Sequence, residues 1–172
     1  MSAEGRNNPE IGETLLAGAV ATNIHDNHLE TDKTPVMCLH GSGPGVSAWA
    51  NWRLNLADIG QARRVLAPDI LGFGFTQRPP NNHYTMPIWL SHLNDVFEAS
   101  GLERVDLIGN SFGGALALAF SIAYPERVRR LVLMGSAGID FELTTGLDDV
   151  WGYQPSEENM FNLMNTFAFN KD

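Results

Sequence analysis

The chain predicts an α/β domain, a mostly parallel sheet with helices on both faces, on three observations. Strand-like and helix-like segments alternate through its middle, as they do when parallel strands are joined by covering helices. A strand-like run, Val105-Asp106-Leu107-Ile108, passes through Gly109-Asn110-Ser111-Phe112-Gly113 into a helix-like one, Gly114 to Phe120. A second apolar run, Pro35 to Leu39, ends in the glycine-rich string His40-Gly41-Ser42-Gly43-Pro44-Gly45.

Each element has a local reason. Leu15 to Ala17 and Val20 to Ile24, parted by Gly18, predict an antiparallel hairpin ahead of the parallel part. Val36 to Leu39 is the next strand, followed by a helix over Ser47 to Leu56, where Trp49, Trp52 and Leu56 recur at helical spacing and are read as packing. Arg64 to Ala67 is a strand, and the glycines of Pro68 to Gly74 permit a sharp turn after it. Pro87 suits the first turn of a helix carrying Ile88, Leu90, Leu93, Val96 and Phe97, which stops near Gly101. The strand and helix around Ser111 come next, then a strand from Val128 to Met134. After Gly138 no further strand is seen, and one helix-like segment spans Glu157 to Phe169. Residues 1–138 therefore read as core and 139–172 as the start of a lid over the strand ends, with a peripheral C-terminal helix as the alternative.

Composition narrows the function. The 172 residues are 44% apolar and 18% charged, enough for one domain with a sizeable core. A formal net charge of -9 repels phosphate backbones and anionic lipid, which argues against a nucleic-acid or membrane partner. The lone cysteine, Cys38, sits in an apolar strand, where a buried inert thiol is expected. A polar N-terminus and the lack of any long apolar segment lead to the expectation of a cytoplasmic protein.

Ser111 is the candidate nucleophile. A serine raised between a strand end and a helix start occupies a strained backbone conformation, tolerable when the residues two before and two after carry no side chain. The pattern by itself is common in so glycine-rich a chain; its placement between strand and helix makes it a nucleophile elbow. Phe112 then begins the helix, so its N–H points with the helix's positive end toward an oxyanion forming beside Ser111. The loop after Leu39 is the candidate second donor, through the N–H of Ser42 or Gly43. A plain turn or a phosphate loop are its alternatives, although no Gly-Lys-Ser/Thr follows.

The strings HGSGPGVSAWANWR, RRVLAPDILGFGFTQRP, IGNSFGGALALA and YPERVRRLVLMGSAG resemble the meta-cleavage product hydrolases of the α/β-hydrolase superfamily, nearest to the 2-hydroxymuconic semialdehyde hydrolases of aromatic degradation. The likeness runs over nearly the whole chain. It implies an α/β-hydrolase fold and hydrolysis of a carbon–carbon bond in a 2-hydroxy-6-oxo-dienoate ring-fission product, with neither metal nor organic cofactor. By the same resemblance Ser111 is catalytic, Ser42, Gly43 and Phe112 supply or flank the oxyanion donors, and Asn51 and Asn110 contact the hydroxyl and carboxylate end of the small-molecule substrate. Asn110 has a second reading as the cap of the elbow helix.

A serine needs a base within hydrogen-bond reach, oriented by a carboxylate, and in this fold the order is Ser, Asp or Glu, His. His25, His28, His40, His83 and His92 all precede Ser111. Asp140, Glu142, Asp148 and Asp149 follow it, where the lid should begin, and take no triad role. The expectation is an N-terminal fragment, truncated before the last core strands, whose full-length form is a homo-oligomer. Three functions stay open: the carbon–carbon hydrolase, a carboxylesterase or thioesterase on the same elbow, and a catalytically silent ligand-binding protein.

Overall fold

The computed structural model describes residues 8–43, 45–80, 83–140, 142 and 144–167; Pro44 and the 168–169 end of the expected last helix lie outside them. Two compact units divide at Gly138/Ile139. The first holds a six-stranded sheet with spatial order β1-β2-β4-β3-β5-β6, where β1 is Glu13–Ala17, β2 Val20–Asp26, β3 Val36–Leu39, β4 Val65–Pro68, β5 Val105–Asn110 and β6 Val128–Met134.

The hairpin forms as expected and is longer by a few residues: β1 and β2 pair antiparallel around Gly18, at φ 57°. Beyond expectation, β2 also pairs antiparallel with β4, in the register Ile24↔Pro68. The pairs β4–β3, β3–β5 and β5–β6 are parallel. The sheet is mixed and mostly parallel, as the resemblance implies. The chain leaves β3 for β4 on one side and returns to β5 on the other, so a crevice opens at the carboxyl ends of β3 and β5, the place where open α/β sheets bind ligands.

The expected helix over Ser47 to Leu56 is two: α1, Ala48–Trp52, and α2, Leu56–Ile59. The Asn55 N–H reaches back three residues to the Trp52 carbonyl at 2.8 Å, closing a tight turn in place of a helical one. Both short helices bury apolar residues against β3 and β4, Trp52 beside Val36, Cys38, Val65 and Ala67 with Leu56 and Ile59 at the edge. Cys38 is fully buried, and desolvation pushes its thiol up to about 12, so it is inert.

Helix α3 runs Met86–Ala99 with Pro87 in its first turn. It ends in a Schellman closure: Leu102 N–H donates to the Phe97 carbonyl at 2.9 Å and Gly101 turns at φ 66°. Helix α4, Phe112–Ala123, is apolar nearly all round and packs into the main core with Leu116, Ala117 and Phe120 buried against Phe97, Leu107 and Leu39. On β6, Leu131 and Leu133 pack on that core, while Val132 and Met134 on the opposite face are about half exposed. Among the described residues β6 pairs with β5 alone.

The second unit contains α5, Thr145–Trp151, and α6, Glu157–Phe167. The former is a helix that apolar periodicity did not reveal; the Thr144 hydroxyl caps it by accepting the Leu147 N–H. No described helix is long and apolar enough to cross a membrane.

Candidate active site

Ser111 stands between the end of β5 and the start of α4 at φ 53°, ψ -117°, a conformation L-residues rarely adopt. Four backbone hydrogen bonds hold it there. Its N–H donates to the Met134 carbonyl at 2.9 Å, and its carbonyl accepts from Gly114 at 3.0 Å, Ala115 at 3.2 Å and Ala137 at 3.1 Å. The side chain does not cap α4 and remains half-buried. The need for flanking glycines is steric. A Cβ on Gly113 would lie 2.5 Å from the Leu39 carbonyl oxygen, and one on Gly109 would lie 2.6 Å from the Gly114 Cα. Neither backbone atom can withdraw without parting strand from helix.

The register Leu39↔Gly109 sets the residues after β3 beside those after β5. A Cβ built on Gly41 would be 3.3 Å from the Ser111 Cβ, so the glycine loop runs directly past Ser111. Among the described residues, the N–H groups of Ser42, Gly43 and Phe112 donate to no backbone carbonyl outside a helix or strand ladder. Phe112 is the first residue of α4, where an N–H has no intrahelical acceptor.

His40 holds the loop's root. It is fully buried; its Nδ1 lies 2.7 Å from the Gly41 carbonyl, and its Nε2 accepts the Ile70 N–H at 2.9 Å. That N–H can only donate, so Nε2 is unprotonated and Nδ1 carries the hydrogen. Desolvation, partly countered by the Gly41 hydrogen bond and the Asp69 charge, lowers the ring's pKa and keeps it neutral. His40 is thus a structural residue of the loop. Asp69, also fully buried, accepts from Ala48 N–H at 2.5 Å, Phe75 N–H at 2.8 Å and Asn23 Nδ2 at 2.8 Å, thereby tying α1 and the 72–75 turn to the same corner.

Asn51 and Asn110 meet: Asn110 Nδ2 donates to Asn51 Oδ1 at 3.0 Å, and the same oxygen accepts the Gly41 N–H at 2.9 Å. Asn110 does not act as the helix cap: α4 is preceded by Ser111 at its N-cap position, no side chain caps it there, and the Asn110 hydrogen bond found is the one that Nδ2 donates to Asn51. Sequence reasoning did not single out the aromatic wall beside the elbow. The Phe112 ring packs edge-on to Trp89 at 4.7 Å and near Phe73 at 5.9 Å, and Trp89 Nε1 donates to the Leu71 carbonyl at 2.9 Å. Only the placement of Trp89 four residues into a helix after a glycine turn hinted at it. Arg78 and Glu10 flank a cleft of about 470 Å³ that Gly43 and Phe73 also line.

None of the histidines replaces the missing base. His92 is buried against Thr22 Oγ1 at 2.9 Å, His25 Nε2 faces the Glu10 carbonyl at 3.2 Å, and His28 pairs with Glu13 and Asp26 at the far side of the sheet. Ser111 Oγ hydrogen-bonds to no described residue.

A strained serine on a strand–helix turn, faced by a glycine loop from the neighbouring strand, is the arrangement that marks proteins of the α/β-hydrolase class. The chain belongs to the alpha/beta hydrolase fold family, matched over residues 34–168. It is 56% identical over 164 residues to a 2-hydroxy-6-oxo-2,4-heptadienoate hydrolase of Pseudomonas putida F1, covering 95% of this chain and 58% of that one. Identity to a 2-hydroxymuconate semialdehyde hydrolase of Pseudomonas sp. CF600 is 52% over 167 residues, 97% of this chain and 58% of the relative. The crystal structure of a meta-cleavage product hydrolase from Pseudomonas fluorescens IP01 superposes with a TM-score of 0.81 at 50% identity, covering 95% of this chain and 59% of that one. The chain thus spans about 58% of the length of these curated relatives.

Proposed function

We propose that the whole protein hydrolyses a carbon–carbon bond in a 2-hydroxy-6-oxo-dienoate formed by opening of an aromatic ring, with Ser111 as nucleophile. The observation that carries the reading is the closeness of the glycine loop to Ser111, where a Cβ built on Gly41 would stand 3.3 Å from the serine Cβ; it supports donors of the loop and of Phe112 acting on one hydroxyl. The relatives' substrates, a heptadienoate and a muconate semialdehyde, supply the substrate class.

In this reading the substrate's dienol becomes a ketone, so that the bond to be broken has an electron sink. Attack at the distal carbonyl, by Ser111 Oγ or by a water that it activates, turns the carbonyl into an oxyanion. The N–H groups of Phe112 and of Ser42 or Gly43 receive it; such donors fixed in a dry site stabilise developing charge without reorganising. The carbon–carbon bond then breaks with its electron pair drawn into the ketone half, which departs as a dienolate and is protonated; the other half leaves as a carboxylic acid, at once where water attacked or, where Oγ attacked, after a water hydrolyses the acyl-serine. Phe73, Trp89 and Phe112 form the apolar side of the elbow. Asn51 Nδ2 and the Asn110 carbonyl offer one donor and one acceptor toward the polar end of the substrate without adding a charge.

We assign the triad acid and base to residues outside these 172, since none of the five histidines reaches Ser111. Residues 139–172 are read as the beginning of the lid. A cytoplasmic location and homo-oligomeric assembly belong to the same proposal, and cell fractionation and sedimentation test them.

The deciding assay follows bleaching of the yellow dienolate of a meta-cleavage product beside release of p-nitrophenol from its esters. Turnover of the dienolate, lost by at least ~10³-fold in Ser111→Ala, is expected. Ester hydrolysis with no bleaching would sink the carbon–carbon reading and leave an esterase; neither, in the whole protein, would leave a silent binding protein.

A further inference from the structure

We propose that Asn51 is a positioning residue of the oxyanion hole, acting through the Gly41 peptide; the proposal rests on the reading above only in taking the 41–43 loop to face an anion. Asn51 Oδ1 accepts two hydrogen bonds, from Gly41 N–H at 2.9 Å and from Asn110 Nδ2 at 3.0 Å. A peptide N–H can only donate, so the atom facing Gly41 is the oxygen of the side-chain amide. That oxygen in turn requires Asn110 to present its nitrogen. One main-chain donor therefore sets the orientation of both amides.

Two consequences follow for the loop. The Gly41 N–H, bonded to Asn51, is withdrawn from any ligand, which leaves Ser42 and Gly43 as the loop's donors. Gly43 and Gly45 add no packing of their own to hold the loop: they sit at φ 153° and 71°, and a Cβ on either would meet nothing within 4 Å. Its rigidity comes from α1. That helix is held at its start, where Ser47 Oγ accepts the Ala50 N–H at 3.0 Å and donates to Glu10 at 2.6 Å, and where Ala48 N–H donates to Asp69. At its end Trp52 is buried in the core. Asn51 thus transmits the position of an anchored helix to a glycine loop and, through Asn110, to the residue before the nucleophile. With Oδ1 committed, its contact with substrate is confined to Nδ2.

The test compares Asn51→Ala with Asn51→Asp in the whole protein, because aspartate keeps an acceptor for Gly41 and Asn110 but has no donor for a substrate. Loss of the pin is expected to lower kcat by about 10²-fold in Asn51→Ala, on dienolate and p-nitrophenyl ester alike, with KM for the ester, which has no carboxylate end for Asn51 Nδ2 to contact, changed by no more than ~3-fold. Asn51→Asp is expected to recover kcat to within about tenfold of the parent. Amide hydrogen exchange at Gly41, read by NMR, should be slow in the parent and in Asn51→Asp and at least ~10-fold faster in Asn51→Ala. If Asn51→Ala does not fold, Asn110→Ala, which spares the Gly41 bond, should leave Gly41 protected. Equal losses in both Asn51 variants carried by KM, or unchanged exchange at Gly41 in Asn51→Ala, would overturn the proposal. Exchange needs no turnover, so a protein that ignores the dienolate while Gly41 responds would refute the substrate and leave the positioning role intact.

Discussion

His40 Nε2 accepts the Ile70 N–H at 2.9 Å, joining the first residue after β3 to the turn after β4 across the floor of the crevice. A second proton on the ring would have to sit on that nitrogen and abolish the bond. Burial lowers the His40 pKa, and it lowers that of His92 to about 4. In the unfolded chain both return to about 6.5. The unfolded state therefore binds more protons below that value, and stability is full above pH 6.5 and falls as pH drops toward 4. Each ring contributes up to about 1.4 kcal/mol per pH unit. Urea midpoints from pH 7.5 to 4.5 should decline, with roughly half the slope in His92→Gln; a flat profile would contradict the neutral assignment of both rings.

Ser111 pays for its exposure with backbone strain. A side-chain-bearing residue at such dihedrals costs about 1–3 kcal/mol, a cost glycine escapes. Ser111→Gly is expected to be more stable than Ser111→Ala by about 1–2 kcal/mol, both being inactive. Equal urea midpoints would show the elbow to be relaxed. Gly113→Ala is expected to err the other way, losing about 3 kcal/mol or more, because the methyl would meet the Leu39 main chain.

Arg64 holds Asp26 with its Nε at 3.1 Å and Nη2 at 2.6 Å, and the Asp26 side chain is 3% exposed. Hydrogen bonding to Asp26 is the leading cause that raises the guanidinium's pKa. Arg64→Met would leave a buried carboxylate short of its partner, at a cost of about 3 kcal/mol. The double change Arg64→Met, Asp26→Leu should regain much of that loss. Thermal unfolding of the three variants checks it, and a double variant no better than the single one would count against the pairing.

Val132 and Met134 on β6 present apolar surface on a strand that pairs on one side only among the described residues. Such an edge invites pairing with another chain. The purified 172-residue chain should unfold over a broad range whose midpoint moves with concentration, and Val132→Lys should reduce its self-association severalfold in sedimentation. A sharp, concentration-independent transition would show the edge to be harmless.

The elements whose neighbours in space are also neighbours in sequence were readable from residue order. Val36 to Leu39 and Val128 to Met134 came out at their observed bounds, Phe112 as the first residue of α4, and the glycines at 109 and 113 as a steric demand, because strand period, helix start and backbone clash are set within a few residues. The alternating pattern was enough for the mostly parallel α/β sheet, and the elbow with the family resemblance for the α/β-hydrolase fold. The split of residues 47–56 into α1 and α2 escaped, as it depends on how Trp52 and Leu56 share one apolar surface on β3 and β4. So did α5, a short helix whose start rests on a threonine cap.

The site divides along the same line. Ser111, Ser42, Gly43 and Phe112 were nameable from composition and spacing, and Asn51 and Asn110 from resemblance, but only folding reveals that the Asn51 oxygen is committed to Gly41, that His40 is fastened to Ile70, and that Trp89 walls the elbow. These links join residues 10, 30 and 23 positions apart. A hydrogen bond between distant residues leaves no periodic trace in the chain, since it exists only once the β3–β5 register has brought its two ends to the same corner of the sheet.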